Sequence, residues 1–232
     1  MTPPENDRAK SVNLARKLRP LGFDGIIGQD FVMRMLQNSL YKDQLFPVYL
    51  FFGQHGCGKT STARVFAAAM NCKNLEAFRK NPREHKVPCH NCSSCTSFKN
   101  ENYPDFIEID AASHTGVENV RQIIEASSYV PVAGAKRVYL IDEAHMLSKA
   151  AFNALLKLLE EPPKSAVFLL ATTEIQKVPN TVRSRCFQAP FSVPDRDVLI
   201  AHLEKISAQE DITVSRRALE VLVAHTGGFI RD

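Results

Sequence analysis

Three groups of residues in this chain have the types and spacings of working chemistry. The first is Gly53-Gln54-His55-Gly56-Cys57-Gly58-Lys59-Thr60, which fits the phosphate-loop pattern G-x-x-x-x-G-K-[ST] in full. Gly53, Gly56 and Gly58 let backbone N–H groups turn inward around phosphate oxygens, and a helix opening at Lys59 adds its positive end. The binding loop therefore runs through Cys57 to Ser61 and is expected to hold the phosphates of a nucleotide. Lys59 reaches the β- and γ-phosphates, while Thr60 offers a hydroxyl to Mg²⁺. His55 is a passenger. A thiol at a helix N-terminus can have a lowered pKa, but Cys57 reads as a bystander.

The second group is acidic. Asp142 and Glu143 end the apolar run "VYLI". A carboxylate there can hold the Mg²⁺ shell, and the next can polarise the attacking water. The four letters "DEAH" also match a helicase signature, but a helicase would carry a second recombinase-like domain and further motifs that are missing here. His145 is accordingly only a neighbour of the acids. Thr172 and Thr173 end the run "FLLA", and either one can hydrogen-bond the γ-phosphate or the attacking water. Arg185, in "SRC", is either a surface charge or an arginine finger completing a neighbour's site.

The third group is Cys72, Cys89, Cys92 and Cys95, spaced C-x16-C-x2-C-x2-C. Two consecutive x2 spacings bring three thiolates to one centre, and Cys72 can close a tetrahedron. An iron–sulfur cluster can also take four cysteines, but the ferredoxin spacing differs and nothing else points to electron transfer. Structural Zn²⁺ is the expected occupant. His85 and His90 are substitute ligands in reserve. A closed four-cysteine site leaves no open coordination position, so the zinc is structural rather than catalytic.

The elements that must position these groups follow from periodicity. Strands are expected over 48–52, 105–110, 137–145, 166–173 and 186–191, mostly as short apolar runs. Helices are expected after Gly28, with Phe31, Met35 and Leu36 on one face, and from Lys59. Another spans "HTGVENVRQIIEASSYV", where Thr115 and Glu118 have capping-box spacing. A further helix carries the stripe Phe152, Leu155, Leu156 and Leu159 and is stopped by Pro162 and Pro163. Residues 72–102 read as an irregular polar insertion. After Pro194 the pattern is purely helical. Strands alternating with helices imply an α/β fold with a parallel sheet covered on both faces. The domains expected are a disordered 1–13, a nucleotide-binding domain over 14–192 and a helical lid over 193–232.

The chain has 232 residues, 44% hydrophobic and 23% charged, which suits one or two globular domains. Its net charge of +4 is compatible with nucleic acid without demonstrating it. No run approaches ~18 apolar residues and the polar N-terminus has no signal-peptide core, so a cytoplasmic protein with no membrane partner is expected.

These motifs, in this order, resemble the ATPase core of the bacterial clamp-loader family, the gamma/tau subunits of DNA polymerase III. The resemblance covers nearly all of the chain from about Leu14. It rests on "FDGIIGQD", "GCGKTSTAR", the four-cysteine insertion, "EIDAAS", "YLIDEAHMLSKAAFNALLKLLEEPP", "LLATTEIQKVP", "SRC" and "GGFIRD". It implies a P-loop NTPase of AAA+ type, with a five-stranded parallel sheet in the order 5-1-4-3-2 and a helical lid. It makes Thr173 the polar sensor of the γ-phosphate, Arg185 an arginine finger acting in trans, and Arg231 a sensor reaching back from the lid. Ile26, Ile27 and Gly28 would line the adenine pocket.

The implied activity is ATP-dependent loading of a sliding clamp onto primed DNA. The implied partners are the delta and delta-prime subunits, further gamma/tau copies, the clamp, primer-template DNA gripped by its backbone, and, in a longer form, the polymerase core. For the DNA, the helix starting near Thr115 and Arg121 on it suit phosphates. Two departures stand out. Leu18 replaces the aromatic usual before "RP", and the family's collar domain is absent by Asp232, as in a fragment or a shortened paralogue. The alternatives are a clamp-loader subunit that binds nucleotide only structurally, and an AAA+ branch-migration motor.

Overall fold

A computed structural model describes residues 14–113 and 116–230 of the chain. Residues 1–13, Thr115 and Arg231 lie outside the described residues, and with them the expected disorder, the expected capping box and the expected lid sensor. Five parallel strands form one sheet: β1 (Val48–Phe52), β2 (Phe106–Asp110), β3 (Arg137–Asp142), β4 (Ala166–Thr172) and β5 (Phe187–Pro190), in the order β2-β3-β4-β1-β5. That is the expected order 5-1-4-3-2 read from the opposite edge.

The central strands are apolar because helices cover both their faces. Residues alternate between two cores at the period of two that a pleated strand dictates. Tyr49 and Phe51 of β1, Val138 and Leu140 of β3, and Val167 and Leu169 of β4 enter one. Val48 and Leu50, Tyr139 and Ile141, and Phe168 and Leu170 enter the other. The first core is covered by α2 (Asp30–Tyr41), α3 (Lys59–Met70) and the insertion; the second by α6 (Val117–Ser127) and α7 (Lys149–Glu160). The edges are blunted: β5 is short and ends in Pro190, and β2 carries Glu108 and Asp110.

Three expectations need correction. The buried face of α2 is Val32, Met33, Leu36 and Leu40, whereas Phe31 is 65% exposed. Residues 72–102 are not irregular throughout, since they hold α4 (Leu75–Lys80) and α5 (Ser93–Lys99). In α7 the fully buried stripe is Ala151, Phe152, Leu155 and Leu158, with Leu156 and Leu159 only packed against it. Two short helices, α1 (Leu14–Lys17) and α8 (Asn180–Arg183), flank the sheet's long elements. The tail is helical as expected: α9 (Arg196–Gln209) and α10 (Arg216–His225) share a small core of Leu199, Ile200, Leu219 and Val223, on which Ile27 packs.

The turn into β3 is organised by one carboxylate. Asp105 is fully buried and accepts from the amides of Val132, Ala133 and Gly134 at 2.8, 2.6 and 3.0 Å. Arg137 pairs with it at 3.2 Å and also donates to the carbonyls of Ala126 and Val130. Burial alone would raise the carboxyl's pKa; those amides and the guanidinium hold it below its ordinary value of 3.8 instead. A depressed folded pKa contributes stability that is fully present above the ordinary value and is lost as pH falls through the folded one. We therefore expect Asp105→Ala to cost about 3 kcal/mol or more in urea unfolding at neutral pH, because it strands a buried guanidinium and three amides. The gap between wild type and variant should narrow below pH 3.8. A variant as stable as wild type at neutral pH would show that the turn holds without its carboxylate.

Candidate nucleotide site and cysteine cluster

The loop of residues 53–58 connects β1 to α3 and is shaped by glycine. Gly53 has φ +153°, and a Cβ there would stand 2.3 Å from the Phe191 carbonyl oxygen. Gly58 caps α3 in the left-handed region at φ 97°, where a Cβ would be strained. The loop therefore ends with the first amides of α3 unpaired within the helix and facing the site. Lys59 is buried, 6% exposed, and its ammonium donates to the carbonyls of Gly53 and Gln54 at 2.9 and 2.8 Å. Ser61 follows on the first turn of α3, half-buried. Cys57 is not an activated thiol: burial pushes its pKa up despite the nearby Lys59, and its S–H donates to the Gln54 carbonyl at 2.8 Å.

The acids arrive from β3. Thr60 Oγ1 donates to Asp142 Oδ2 at 2.7 Å, so the loop hydroxyl and the strand-end carboxylate are already joined. A hydroxyl and a carboxylate oxygen this close are hard oxygen donors of the kind Mg²⁺ takes, and the pair fits that ion. Asp142 also accepts from the Glu143 amide through Oδ1 at 3.0 Å.

The two threonines ending β4 separate cleanly. Thr172 is fully buried, its hydroxyl engaged by the Glu174 amide at 3.1 Å and by the His145 ring at 3.1 Å. Thr173, just past the end of the strand, donates to Glu143 Oε2 at 3.1 Å. Two residues that sequence reasoning passed over are also built in. His145, read above as a neighbour of the acids, lies within 3.3 Å of Glu143. Gln29 is buried, donates to the Cys57 and Ser192 carbonyls at 3.3 and 2.6 Å, and accepts from the Ser192 amide at 3.2 Å, tying the loop to the segment after β5. Between Gly28 and Asp30, nothing in the local sequence marks it out.

Other candidates stand apart from this cluster. Arg185 donates to the Thr181 carbonyl at 2.9 Å and pairs with Glu160 at 3.4 Å. Ile26 is buried, and Gly28, at φ +68°, backs onto Pro194, so residues 26–28 lie along the seam with the helical tail.

The cysteines converge as their spacing implied. The sulfurs of Cys72, Cys89, Cys92 and Cys95 all lie within 4.8 Å of one another, with Cys89 and Cys95 at 3.9 Å. Tetrahedral Zn–S bonds of about 2.3 Å require sulfurs about 3.8 Å apart, so the cluster fits Zn²⁺. Cys72 comes from the end of α3 and Cys92 caps α5, its sulfur accepting from the Cys95 amide. The Cys72 thiol is pushed down to about 5, first by a hydrogen bond with Cys95, and the same bond pushes Cys95 up. Neither His85 nor His90 belongs to the cluster among the described residues.

A family model described as DNA polymerase III, delta subunit matches residues 28–195. The chain is 45% identical over 219 residues to the DNA polymerase III subunit tau/gamma of Haemophilus influenzae, covering 94% of this chain and 31% of that protein. It is 40% identical to subunit tau of Bacillus subtilis, covering 94% and 38%. The chain thus spans about a third of the length of these curated relatives. Among solved structures, the Thermotoga maritima RuvB Holliday junction branch migration motor superposes with a TM-score of 0.66 at 19% identity, over 92% of this chain and 62% of that one. At that identity the likeness shows the AAA+ P-loop fold alone. No described helix is long and apolar enough to cross a membrane.

Elemental analysis is expected to find one zinc per chain, and Cys72→Ser to lower that occupancy. Acidification should release the metal as thiolates protonate. Chelation should speed amide exchange in α4 and α5 while β1, β3 and β4 stay protected, because those strands are buried without help from the cluster. Iron, or a chelator that unfolds the whole sheet, would overturn this.

Proposed function

The chain belongs to the DNA polymerase III delta-subunit family, and from that premise we propose that it is the ATP-hydrolysing core of a clamp-loader gamma/tau subunit. Its task is to open a ring-shaped sliding clamp and place it on primed DNA during replication. The observation that carries this is the joined set Thr60, Asp142, Glu143 and Thr173 beside a complete phosphate loop. A structural subunit with a vestigial site would have no use for all of them together.

Each residue has a task that its position supports. Lys59 exchanges the carbonyls of Gly53 and Gln54 for phosphate oxygens, gaining charge-assisted bonds. Thr60 and Asp142 would hold Mg²⁺, which when bound supplies positive charge to the phosphate oxygens. Glu143 takes up the water's proton as general base. Thr173, bonded to Glu143 Oε2, lies where a polar side chain can sense the terminal phosphate and keep the carboxylate aligned. The amides from Gly53 to Ser61 cradle the phosphates, and Ile26, Ile27 and Gly28 border the base. Arg231 is assigned to the lid side of the same site by resemblance alone. Zn²⁺ on Cys72, Cys89, Cys92 and Cys95 has a structural role.

Partners are assigned in the same spirit. Arg185 faces its own Glu160 rather than the phosphate loop, which suits a finger offered to a neighbouring subunit, whether delta-prime or another gamma/tau copy. The turn pinned by Asp105 presents Tyr129, Val130 and Val132 at 63, 80 and 78% exposure, an apolar surface suited to a protein partner such as the clamp. Arg121, loosely paired with Glu118 at 3.5 Å on the exposed face of α6, suits a DNA backbone contact. Delta and the polymerase core complete the assembly expected of the longer relatives, and a cytoplasmic location goes with that role.

Lys59→Ala should abolish nucleotide binding without unfolding the chain; calorimetry showing unchanged affinity would sink the ATPase assignment. Arg185→Ala should leave binding by the single chain intact and lower hydrolysis in the full assembly by ~10³-fold or more at the neighbouring site. Mixing Lys59→Ala and Arg185→Ala subunits should retain some working sites. If Arg185→Ala instead prevents the lone chain from binding ATP, the residue acts in cis.

A further inference from the structure

Glu143 is held in an uncommon backbone state. Its φ of 49° lies in the left-handed region, which an acidic residue keeps only where its surroundings fix it. From the backbone, Asp142 Oδ1 accepts its amide hydrogen and its carbonyl accepts from the Met146 amide at 2.8 Å. From the side chain, Thr173 donates to Oε2, and His145 Nδ1 lies 3.3 Å from the same oxygen.

The histidine is itself clamped. Its side chain is 8% exposed. Nδ1 stands 3.1 Å from Thr172 Oγ1, and Nε2 stands 3.3 Å from Glu174 Oε1, a carboxylate tied in turn to Lys177 at 2.8 Å. A ring that only filled space would meet carbon; here both nitrogens meet oxygen. It cannot turn away from Glu143 without losing contacts at both edges.

We propose that His145 is the positioning residue for Glu143: wedged against the end of β4 with the hydrogen on Nδ1, it donates to the carboxylate and fixes it beside Thr173, where it can polarise the attacking water. This rests on the ATPase reading above and adds to it a residue outside the phosphate loop and the acidic pair. It also gives the fully buried Thr172 a purpose, as the anchor of the ring rather than a sensor.

The test uses the full-length chain assembled with its partner subunits. Hydrolysis is measured alongside calorimetric affinity for a non-hydrolysable ATP analogue. His145→Ala should lower kcat by roughly 10- to 100-fold, the cost of a misplaced reacting group, with analogue affinity within about twofold of wild type. His145→Asn, which puts a polar atom where Nδ1 stands, should recover most of the rate; His145→Gln, which mimics Nε2, should not. A crystal structure of His145→Ala with the analogue should show the Glu143 carboxylate displaced from Thr173. The Glu143→Gln variant separates the two levels. If the wild-type assembly itself does not hydrolyse ATP, the ATPase reading fails and the positioning role with it; if Glu143→Gln hydrolyses ATP at the wild-type rate, Glu143 is not the base and the positioning role fails alone. If the variant is inactive while His145→Ala turns over normally, or Asn and Gln recover equally, or Glu143 stays unmoved, only the positioning role is overturned.

Discussion

The Thr60 hydroxyl and the Asp142 carboxylate meet at 2.7 Å although the strands that bring them there are not neighbours. Strand β4 lies between β1 and β3, buried along its whole length, and its register against both sets how the two groups face each other. The strand has seven residues and no exposed position, and apolar burial together with backbone ladders to both neighbours holds it in place. A slip of one residue would turn every side chain to the opposite face. Leu170 would leave its core, and Thr173 would lose Glu143. The chemistry at the strand ends is therefore fixed by pairing and packing deeper in the sheet, where β4 offers no polar side chain before Thr172.

This explains what could be read from the sequence. Parallel strands covered on both faces have to be apolar runs, so β1, β3 and β4 announce themselves, and a glycine loop or acid at the end of such a run marks the site. Strand parity was harder to use. Thr172 and Thr173 are chemically alike, and although the period of two puts Thr172 on the face of Leu170, nothing local says which of them meets the acids. The structure resolves them because Thr172 follows that buried face and Thr173 the other. Phe31 misled for a related reason: helical spacing groups residues on a face without saying which face meets the sheet. The insertion's two short helices left no periodic signal, at six and seven residues. His145 and Gln29 were missed because their importance is a matter of three-dimensional neighbours that lie far off in the chain.

The cysteine insertion shows a different route to local order. It has no separate core, and its Leu75, Phe78 and Val87 join the core beside α3. Its three closely spaced cysteines come from one short stretch and need only Cys72, at the end of α3, to be anchored to the main domain. Small segments with too little core are commonly held by metal in this way. The helix that carries the phosphate loop at its start thus carries a cluster ligand just beyond its end, and a distortion at one end is borne by the same rigid rod as the other.

The joint between loop and tail has a consequence of its own. Gly56 sits at the apex of the phosphate loop; its carbonyl accepts from the Ile230 amide at 3.3 Å, and a Cβ on it would stand 3.0 Å from Phe229. On the other side, Gly28 abuts Pro194 and Gln29 binds Ser192. The two helices of the tail are thus attached at both ends to the proposed phosphate loop and its support. Thermodynamic linkage then works in both directions. Whatever a bound nucleotide would do to a partner's affinity for those helices, the partner would do, with equal free energy, to the affinity for nucleotide.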